Sequence, residues 1–279
     1  MSGKIHRFQV GDFECLAVAD VQGSGNPGGA FPDVSAEAFA DAARALGYDP
    51  EAIPQQCIPL AINTGDQWLL LDTGNPQGDA AGSGKTLRGL RAAGVAPEDI
   101  AVVVISHCHP DHIGGLSDDE GQLHYPNARY VIWKAEWQHW LGETGLAQWG
   151  EEYAAFLRAK LLPLQAKITL LDAETEIVPG VSALSLPGHT PGHMGLRLHS
   201  AGERLLDIVD TAHVLVQMAH PEWSPRYDTD PAMAAVTRRK VFAQAAQEKL
   251  LVMGFHFPVP GLGHIVPEGD AFKWQPVEA

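Results

Sequence analysis

The stretch that decides the fold is IAVVVISHCHPDH, residues 100–112. Its first six residues are apolar and mostly β-branched, a pattern typical of a short strand buried on both faces. His107 and His109 lie two positions apart and can point to one side of an extended loop, whereas Asp111 and His112 lie on the next turn. Imidazoles and carboxylates are crowded in this way mainly where they bind metal ions. The stretch therefore predicts a metal site at a strand end.

Four ligands are too few for two metal ions, so we expect further ligands at later strand ends. Binding sites of α/β folds form where strands end, and three later apolar runs in this chain end in histidine or aspartate. The candidate ligands after these runs are His189 in LPGHTPGH (186–193), Asp210 in LDIVDT (206–211) and His256 in MGFH (253–256).

Strands and helices alternate along the chain, which predicts an α/β fold. The N-terminal segment alternates and breaks at Gly11-Asp12, which predicts a β-hairpin. Residues 22–32 are rich in glycine and proline and are predicted to form a loop.

Because no repeat, linker or composition break divides the sequence, we expect one domain over residues 1–279. Helices are expected at 36–47 behind Ser35 as N-cap, 86–93, 134–141, 151–162 and 231–247 behind Asp230, and strands at 58–63, 68–72, 100–105, 168–171, 181–186, 195–199, 205–209 and 250–254.

The chain of 279 residues carries 34 acidic and 19 basic side chains, a formal charge of −15 with histidine neutral. This charge disfavours a nucleic-acid partner and an anionic membrane surface, since both are bound through lysine and arginine. No apolar segment is long enough to span a membrane, and the N-terminus lacks the apolar core of a signal peptide. The three cysteines are widely spaced, which predicts reduced thiols and a cytoplasmic protein.

Together, the H-x-H-x-D-H run at 107–112, the GHTPGH segment at 188–193 and the later Asp210 and His256 resemble the metallo-β-lactamase-fold hydrolase superfamily. The LLLDTG segment at 69–74 adds to this resemblance, which covers most of the chain. The resemblance implies a four-layer αβ/βα sandwich with a metal site at one edge of its sheets.

The same resemblance implies two divalent metal ions. Zinc suits the imidazole-rich set best, with manganese or iron as alternatives. A hydroxide shared by the metals would be the nucleophile, with Asp111 and Asp210 as catalytic ligands. The implied ligands are His107, His109 and His189 for one metal, Asp111, His112 and His256 for the other, and Asp210 for both.

Three further residues are candidates for roles around the metals. Asp72 resembles the strand-end aspartate that supports the histidine-rich loop in the family, the alternative being a simple turn residue. Thr190 either orients its neighbour or is only a loop hydroxyl. Trp140 shares a helix face with Trp133 and Trp137, which favours a role in the core over one in the substrate pocket.

Within the superfamily, VDTAHV (209–214), FHFP (255–258) and PGLGHI (260–265) resemble the methyl-parathion-hydrolase-like branch, which is related to the lactonases. This implies a homodimer that hydrolyses lactones, carboxyl or aryl esters and, in some members, phosphotriesters. Lactonases that open acyl-homoserine lactones often carry tyrosine three residues after the bridging aspartate, where this chain has His213. His213 polarises a carbonyl, donates a proton or only packs beside the site, and His264 is similarly ambiguous.

Other functions share the motif. A glyoxalase II-type thioester hydrolase carries a basic glutathione-binding helix, which is not recognisable near the segment WQPV at 274–277. A mono-iron persulfide dioxygenase uses two histidines and one aspartate, whereas this sequence offers seven candidate ligands. A non-catalytic protein has no reason to retain the full set, and the acidic charge disfavours a nuclease. We therefore expect a dinuclear hydrolase acting on a small lactone or ester.

Overall fold

The strand predicted at 100–105 lies inside one of two seven-stranded sheets. A computed structural model describes residues 4–76, 84–142 and 150–277 of the chain. This strand pairs in parallel with both of its neighbours, as its continuous apolar sequence predicts. In spatial order the first sheet is β1 (Lys4–Val10), β2 (Phe13–Ala19), β5 (Leu60–Asn63), β6 (Trp68–Leu71), β7 (Ile100–Ile105), β8 (Arg129–Trp133) and β9 (Ile168–Leu171).

The second sheet has the same number of strands but only one parallel pair, β13 with β14. In spatial order this sheet is β10 (Glu176–Val178), β11 (Val181–Ser185), β12 (Met194–Ser200), β13 (Glu203–Asp207), β14 (Leu251–Met253), β15 (Leu262–Glu268) and β16 (Ala271–Pro276).

Helices cover the outer faces of both sheets. The predicted caps are confirmed: Ser35 Oγ accepts from the backbone N–H of Ala38, and Asp230 Oδ1 accepts from that of Met233. None of the helices within the described ranges is long and apolar enough to cross a membrane. The helices are α1 (Ala36–Ala45), α2 (Thr86–Ala92), α3 (Pro110–Ile113), α4 (Lys134–Leu141), α5 (Gly150–Leu161), α6 (Val216–Ala219) and α7 (Pro231–Glu248).

Alternation along the central strands divides the core into layers. Leu69 and Leu71 pack between the two sheets, whereas Leu70 packs with side chains of α2, α4 and α5. In the second sheet Leu205 faces the first sheet and Leu206 packs with side chains of α7. Since successive strand residues point to opposite faces, both sheets are buried on both sides. The layers follow in the order helix, sheet, sheet, helix, which confirms the four-layer α/β sandwich.

The loop prediction for residues 22–32 is partly wrong. The structure contains a strand there, β3 (Val21–Gly25), which pairs antiparallel with β4 (Ile53–Cys57). Neither strand has a clear alternating pattern, because the first is rich in glycine and the second contains Pro54. Each strand is stabilised by its backbone pairing with the other, a contact about 30 residues away in sequence that local propensity does not reveal.

Leu70→Ala is expected to lower the free energy of unfolding by about 2–5 kcal/mol, because it leaves a cavity between the first sheet and its helices. Leu70 is 0% exposed, whereas Leu170 on β9 is 40% exposed. Leu170→Ala is the matched control and should change stability by less than about 0.5 kcal/mol. Equilibrium denaturation of both variants in one buffer tests this. Equal losses for the two variants would contradict the layer assignment.

Candidate metal centre

The predicted ligands come together at one edge of the sandwich, where strands from both sheets end. The parallel pairs β6–β7 and β13–β14 end in the same direction within each pair, so the segments that follow them lie side by side. The histidine-rich loop follows β7, and Asp210 follows β13. His189 follows β11, and His256 follows β14.

The first donor group contains His107, His109 and His189 with Asp210. The three ring nitrogens, Nε2, Nδ1 and Nε2 respectively, lie 3.0–3.1 Å from one another. Asp210 Oδ2 lies 3.4 Å from His189 Nε2 and 3.7 Å from His107 Nε2. Tetrahedral zinc with bonds of about 2.0–2.1 Å needs neighbouring donors about 3.3 Å apart. The spacing of this group fits that requirement.

The second donor group contains Asp111, His112 and His256, again with Asp210. Asp111 Oδ2 lies 3.6 Å from His112 Nε2 and 3.5 Å from His256 Nε2. Asp210 Oδ1 lies 3.3 Å from His112 Nε2, and its Oδ2 lies 3.2 Å from His256 Nε2. The Asp210 carboxylate therefore faces both donor groups.

The hydrogen bonding of these atoms is incomplete without a cation. Within the described ranges, His112 Nε2 and Asp210 Oδ1 are buried and lie 3.3 Å from each other, but neither makes a hydrogen bond of normal geometry. Three imidazole nitrogens that face one another cannot all be satisfied by hydrogen bonds among themselves. Buried polar atoms without partners are rare in native proteins. The donor set therefore fits two metal ions, one in each group.

Electrostatics favours the metal-binding form of the first donor group, including Asp210. Burial, reinforced by neighbouring imidazoles, lowers the pKa of His107, His109 and His189 well below the usual histidine value. Burial opposes ionisation of Asp210, but the surrounding imidazoles, His256 foremost, hold the pKa of this carboxyl well below its usual range. The first donor group thus combines neutral nitrogen donors with an ionised carboxylate, which are the protonation states that metal ligation requires. In the second group burial opposes protonation, but the nearby Asp210 carboxylate raises the pKa of His112 and His256 well above the usual histidine value, so a cation bound there would displace their protons.

Three of the imidazoles are oriented by an acceptor on their other ring nitrogen. Such contacts fix the ring position and raise the basicity of the ligating nitrogen. The acceptors are Asp72 Oδ2 for His112 Nδ1 (2.7 Å), Asp228 Oδ1 for His189 Nδ1 (2.9 Å) and the backbone carbonyl of Gln56 for His256 Nδ1 (2.7 Å).

Asp72 lies directly after β6, where the sequence placed it beside the histidine-rich loop. Its backbone has a φ of 60°, in the left-handed region that aspartate tolerates better than most residues. Ser106 holds the carboxylate in place, because its backbone N–H and its hydroxyl donate to Asp72 Oδ1 and Oδ2 at 2.8 and 2.7 Å.

Sequence reasoning gave no role at the metal centre to two buried charged residues beneath His189. Asp228 accepts from His189 through Oδ1 and from Arg238 Nη2 through Oδ2, at 3.2 Å. Arg238 is 0% exposed and also donates to the backbone carbonyl of Thr211 at 2.6 Å. Only its burial distinguishes Arg238 from the solvated charges expected along α7, and the sequence carries no signal for that burial.

Glu136 on α4 is a third buried residue that the sequence did not reveal. Its carboxylate accepts from the backbone N–H groups of Cys108 and Gly192, each at 3.0 Å, and from Trp140 Nε1 at 2.5 Å. Cys108 lies between two candidate ligands, and Gly192 belongs to the loop of His189. Glu136 therefore ties the two loops of the first donor group together.

A cavity of about 580 Å³ opens above the two donor groups. His213 borders it, with Nε2 3.2 Å from Asp210 Oδ2 and its ring 5.3 Å from that of His256. Trp140 on α4 packs in the core between the first sheet and its helices and also borders the cavity, whereas Trp133 ends β8 and, contrary to the prediction, is not part of this helix. Further walls are formed by Val21, Pro27, Tyr153, Val214 and Tyr227.

His264, a candidate for the substrate pocket, does not border this cavity, and Thr190, a candidate for a supporting role, lies behind the donor groups. His264 lies on β15, where its Nδ1 donates to the backbone carbonyl of Leu250 at 2.9 Å. Thr190 is fully buried, and its hydroxyl lies beside the carboxylate of Glu136, which connects the loops of Cys108 and Gly192. Because β15 continues away from the strand ends, proximity in sequence to His256 did not bring His264 to the site.

A family model described as the metallo-beta-lactamase superfamily matches residues 54–211, more than half of the chain. The chain belongs to this superfamily. The resemblance inferred from the sequence motifs is thereby confirmed, and so is the fold class that it implied.

Individual members of the superfamily share sequence and structure with this chain. An N-acyl homoserine lactonase from Bacillus sp is 30% identical over 153 residues, which are 54% of each chain. The chain thus spans about half the length of the curated relatives that it matches. The solved structure of AidC, described as a dizinc quorum-quenching lactonase with its product, is 26% identical with a TM-score of 0.92, covering 99% of this chain and 98% of AidC. The hydrolase AbOPH is 28% identical with a TM-score of 0.89, covering 100% and 99%.

Asp228→Ala is expected to weaken metal binding about 10–100-fold, because His189 loses the acceptor that orients it. The variant also leaves the buried Arg238 without its carboxylate partner and should be less stable, so its metal affinity is measured where circular dichroism shows it folded. Competition with a chelator, followed by elemental analysis of the retained metal, measures this. Asp230→Ala is the matched control, since Asp230 caps α7 two residues away without touching an imidazole. The control should lose helix stability of about 1 kcal/mol but keep its metal affinity. Equal metal affinity of the Asp228 variant and the unmodified protein would refute this supporting role.

Proposed function

We propose that this protein is a dinuclear metal-dependent hydrolase that opens lactone rings. The observation that carries the proposal is the pair of donor groups that share Asp210 at the base of an apolar cavity. His107, His109 and His189 would hold one cation, Asp111, His112 and His256 the other, and Asp210 both. When bound, two such cations supply Lewis acidity and an acidified water molecule. The imidazole-rich donors favour zinc.

The chain's own residues prepare the reacting carbonyl. His213 Nε2 lies 3.2 Å from Asp210 Oδ2 at the cavity wall, so it sits next to the position of a substrate held over the donor groups. We assign His213 the role of a hydrogen-bond donor to the carbonyl or to the departing ring oxygen. Fixed donors are most effective where developing negative charge is shielded from water.

The cavity favours a substrate with a polar head and an apolar tail. Its floor is polar, whereas Val21, Val214 and Tyr227 contribute apolar or aromatic walls. A volume of about 580 Å³ is ample for a small ring with an attached chain. AidC, which is similar over nearly the whole chain, was solved with an N-acyl-L-homoserine product. An acyl-lactone is therefore the substrate class that we favour.

Aryl esters are the second candidate substrates. Trp140, Tyr153 and Tyr227 present aromatic side chains to the cavity and could stack on an aryl leaving group. Phosphotriesters with aryl groups would use the same walls. The alternative reaction is the hydrolysis of a thioester, as in glyoxalase II-type enzymes. The presence of two donor groups disfavours a mono-iron persulfide dioxygenase, because that enzyme needs only one donor group.

A single domain over residues 1–279, a homodimer and a cytoplasmic location stay predictions from the sequence.

The purified protein loaded with zinc is expected to hydrolyse an N-acyl homoserine lactone faster than an aryl ester or S-lactoylglutathione. Metal removal by a chelator should abolish turnover, because the proposed reaction needs a water molecule acidified by the cations. Added Zn²⁺ should restore turnover. Titration of released acid at constant pH measures all three substrates in one assay. Faster turnover of the thioester, or turnover that survives the chelator, would reverse the proposal.

His213→Ala is expected to lower kcat on the lactone by about 10²–10³-fold, the loss typical of one removed donor to a developing oxyanion. Metal content should stay at two ions per chain, because both donor groups remain complete without His213. Asp210→Ala is the contrasting variant and should lose metal as well as turnover. His220→Ala removes a half-buried histidine outside the cavity, stacked on Trp223, and should leave kcat unchanged. Loss of metal from the His213 variant would instead make this residue a ligand.

A further inference from the structure

Cys57 places a thiol at the second donor group. It is the last residue of β4, it is 8% exposed, and it borders the cavity. Its Sγ lies 3.7 Å from Asp111 Oδ2. The ligand atoms of Cys57, Asp111 and His256 all lie within 4.8 Å of one another. The thiol therefore shares its surroundings with two of the residues that would hold the second cation.

The distance is that of two ligands on one metal ion. With Cys57 the second cation would have five protein ligands, and a five-coordinate zinc with Zn–S of about 2.3 Å, Zn–O of about 2.1 Å and angles of about 90–120° separates sulfur and oxygen by about 3.1–3.8 Å. The observed 3.7 Å between Cys57 Sγ and Asp111 Oδ2 lies within this range. Without a cation this contact is a weak hydrogen bond from the thiol to the carboxylate, and Cys57 also packs at the edge of the core between the sheets.

The backbone beside Cys57 is fixed to the same group. The carbonyl of Gln56 accepts from His256 Nδ1 at 2.7 Å, so the end of β4 and this imidazole are held in one geometry. The group also contains His112 Nε2 and Asp210 Oδ1, which are buried and make no hydrogen bond of normal geometry within the described ranges. These atoms indicate that a cation belongs in the second donor group, which the Cys57 thiol adjoins through Asp111 and His256.

The other two cysteines provide a contrast. Cys15 on β2 and Cys108 in the histidine-rich loop are both 0% exposed. Neither contributes to a donor group found in the described ranges. Cys108 packs with the apolar side chains between the first sheet and its helices. Cys57 is thus distinguished by its neighbours and not by its residue type.

We propose that Cys57 is a thiolate ligand of the second metal ion. The inference rests on the dinuclear centre proposed above. Ligation forms a sulfur–metal bond, and the thiol proton passes to the buffer. The first group would then bind its cation through nitrogen and oxygen alone, whereas the second would add sulfur. Soft thiolate ligands favour thiophilic cations, so the two positions differ in metal preference.

Cobalt substitution of the full-length protein tests the proposal by spectroscopy. Co²⁺ bound to nitrogen and oxygen ligands shows weak visible bands, and a thiolate ligand adds an intense charge-transfer band in the near ultraviolet. The Co²⁺-loaded protein is expected to show both. Cys57→Ser should lose the near-ultraviolet band and keep visible bands from the remaining ligands. Cys15→Ser, which alters a buried thiol in the core between the sheets, is the control and should keep both.

Each outcome separates this inference from the proposed function. Visible cobalt bands without the near-ultraviolet band, or a band that persists in Cys57→Ser, overturn the thiolate ligand and leave the dinuclear centre intact. Failure of the unmodified protein to bind cobalt at all overturns both. Loss of one of the two cobalt ions from Cys57→Ser together with the band supports the ligand role. This holds when the variant keeps the same circular dichroism spectrum as Cys15→Ser, which shows that it is folded.

Discussion

The buried carboxylate of Asp210 is the group on which the rest of the centre depends. Its side chain is only 3% exposed, and desolvating an isolated carboxylate costs several kcal/mol. Ionisation is favourable here because imidazoles from separate segments surround both of its oxygens. Those segments follow strands of both sheets, so the charge is stable only when the two sheets meet in the observed register. The same surroundings make Asp210 the natural meeting point of two donor groups.

The ligand candidates are held by a layer of buried polar residues. Asp72 fixes His112, and Arg238 fixes Asp228, which in turn fixes His189. Glu136 connects the two loops of the first group through backbone N–H donors. Buried charges are tolerated when they are paired and hydrogen-bonded, and removing one partner is strongly destabilising. This layer gives the donors a fixed geometry before any cation arrives.

The small sheet formed by β3 and β4 forms part of the cavity wall beside the metal centre. Val21 and Cys57 border the cavity, while the carbonyl of Gln56 orients His256. The cavity thus has a polar floor made by the two large sheets and a wall made partly by this minor sheet. A wall that excludes water strengthens the electrostatic effect of the fixed donors beneath it.

The sequence by itself determined the α/β pattern, the buried strand at 100–105 and the residue types of the metal centre. These are local features, because a continuous apolar run and a dense H-x-H-x-D-H motif lie within a few residues. Asp210 and His256 could be proposed as ligands because they also follow apolar runs. The resemblance to the superfamily then implied which metal each would bind. The pairing of β3 with β4, the burial of Arg238 and the exclusion of His264 from the cavity were decided only by tertiary structure. Each depends on contacts between segments far apart in the chain, which no local pattern of residues encodes.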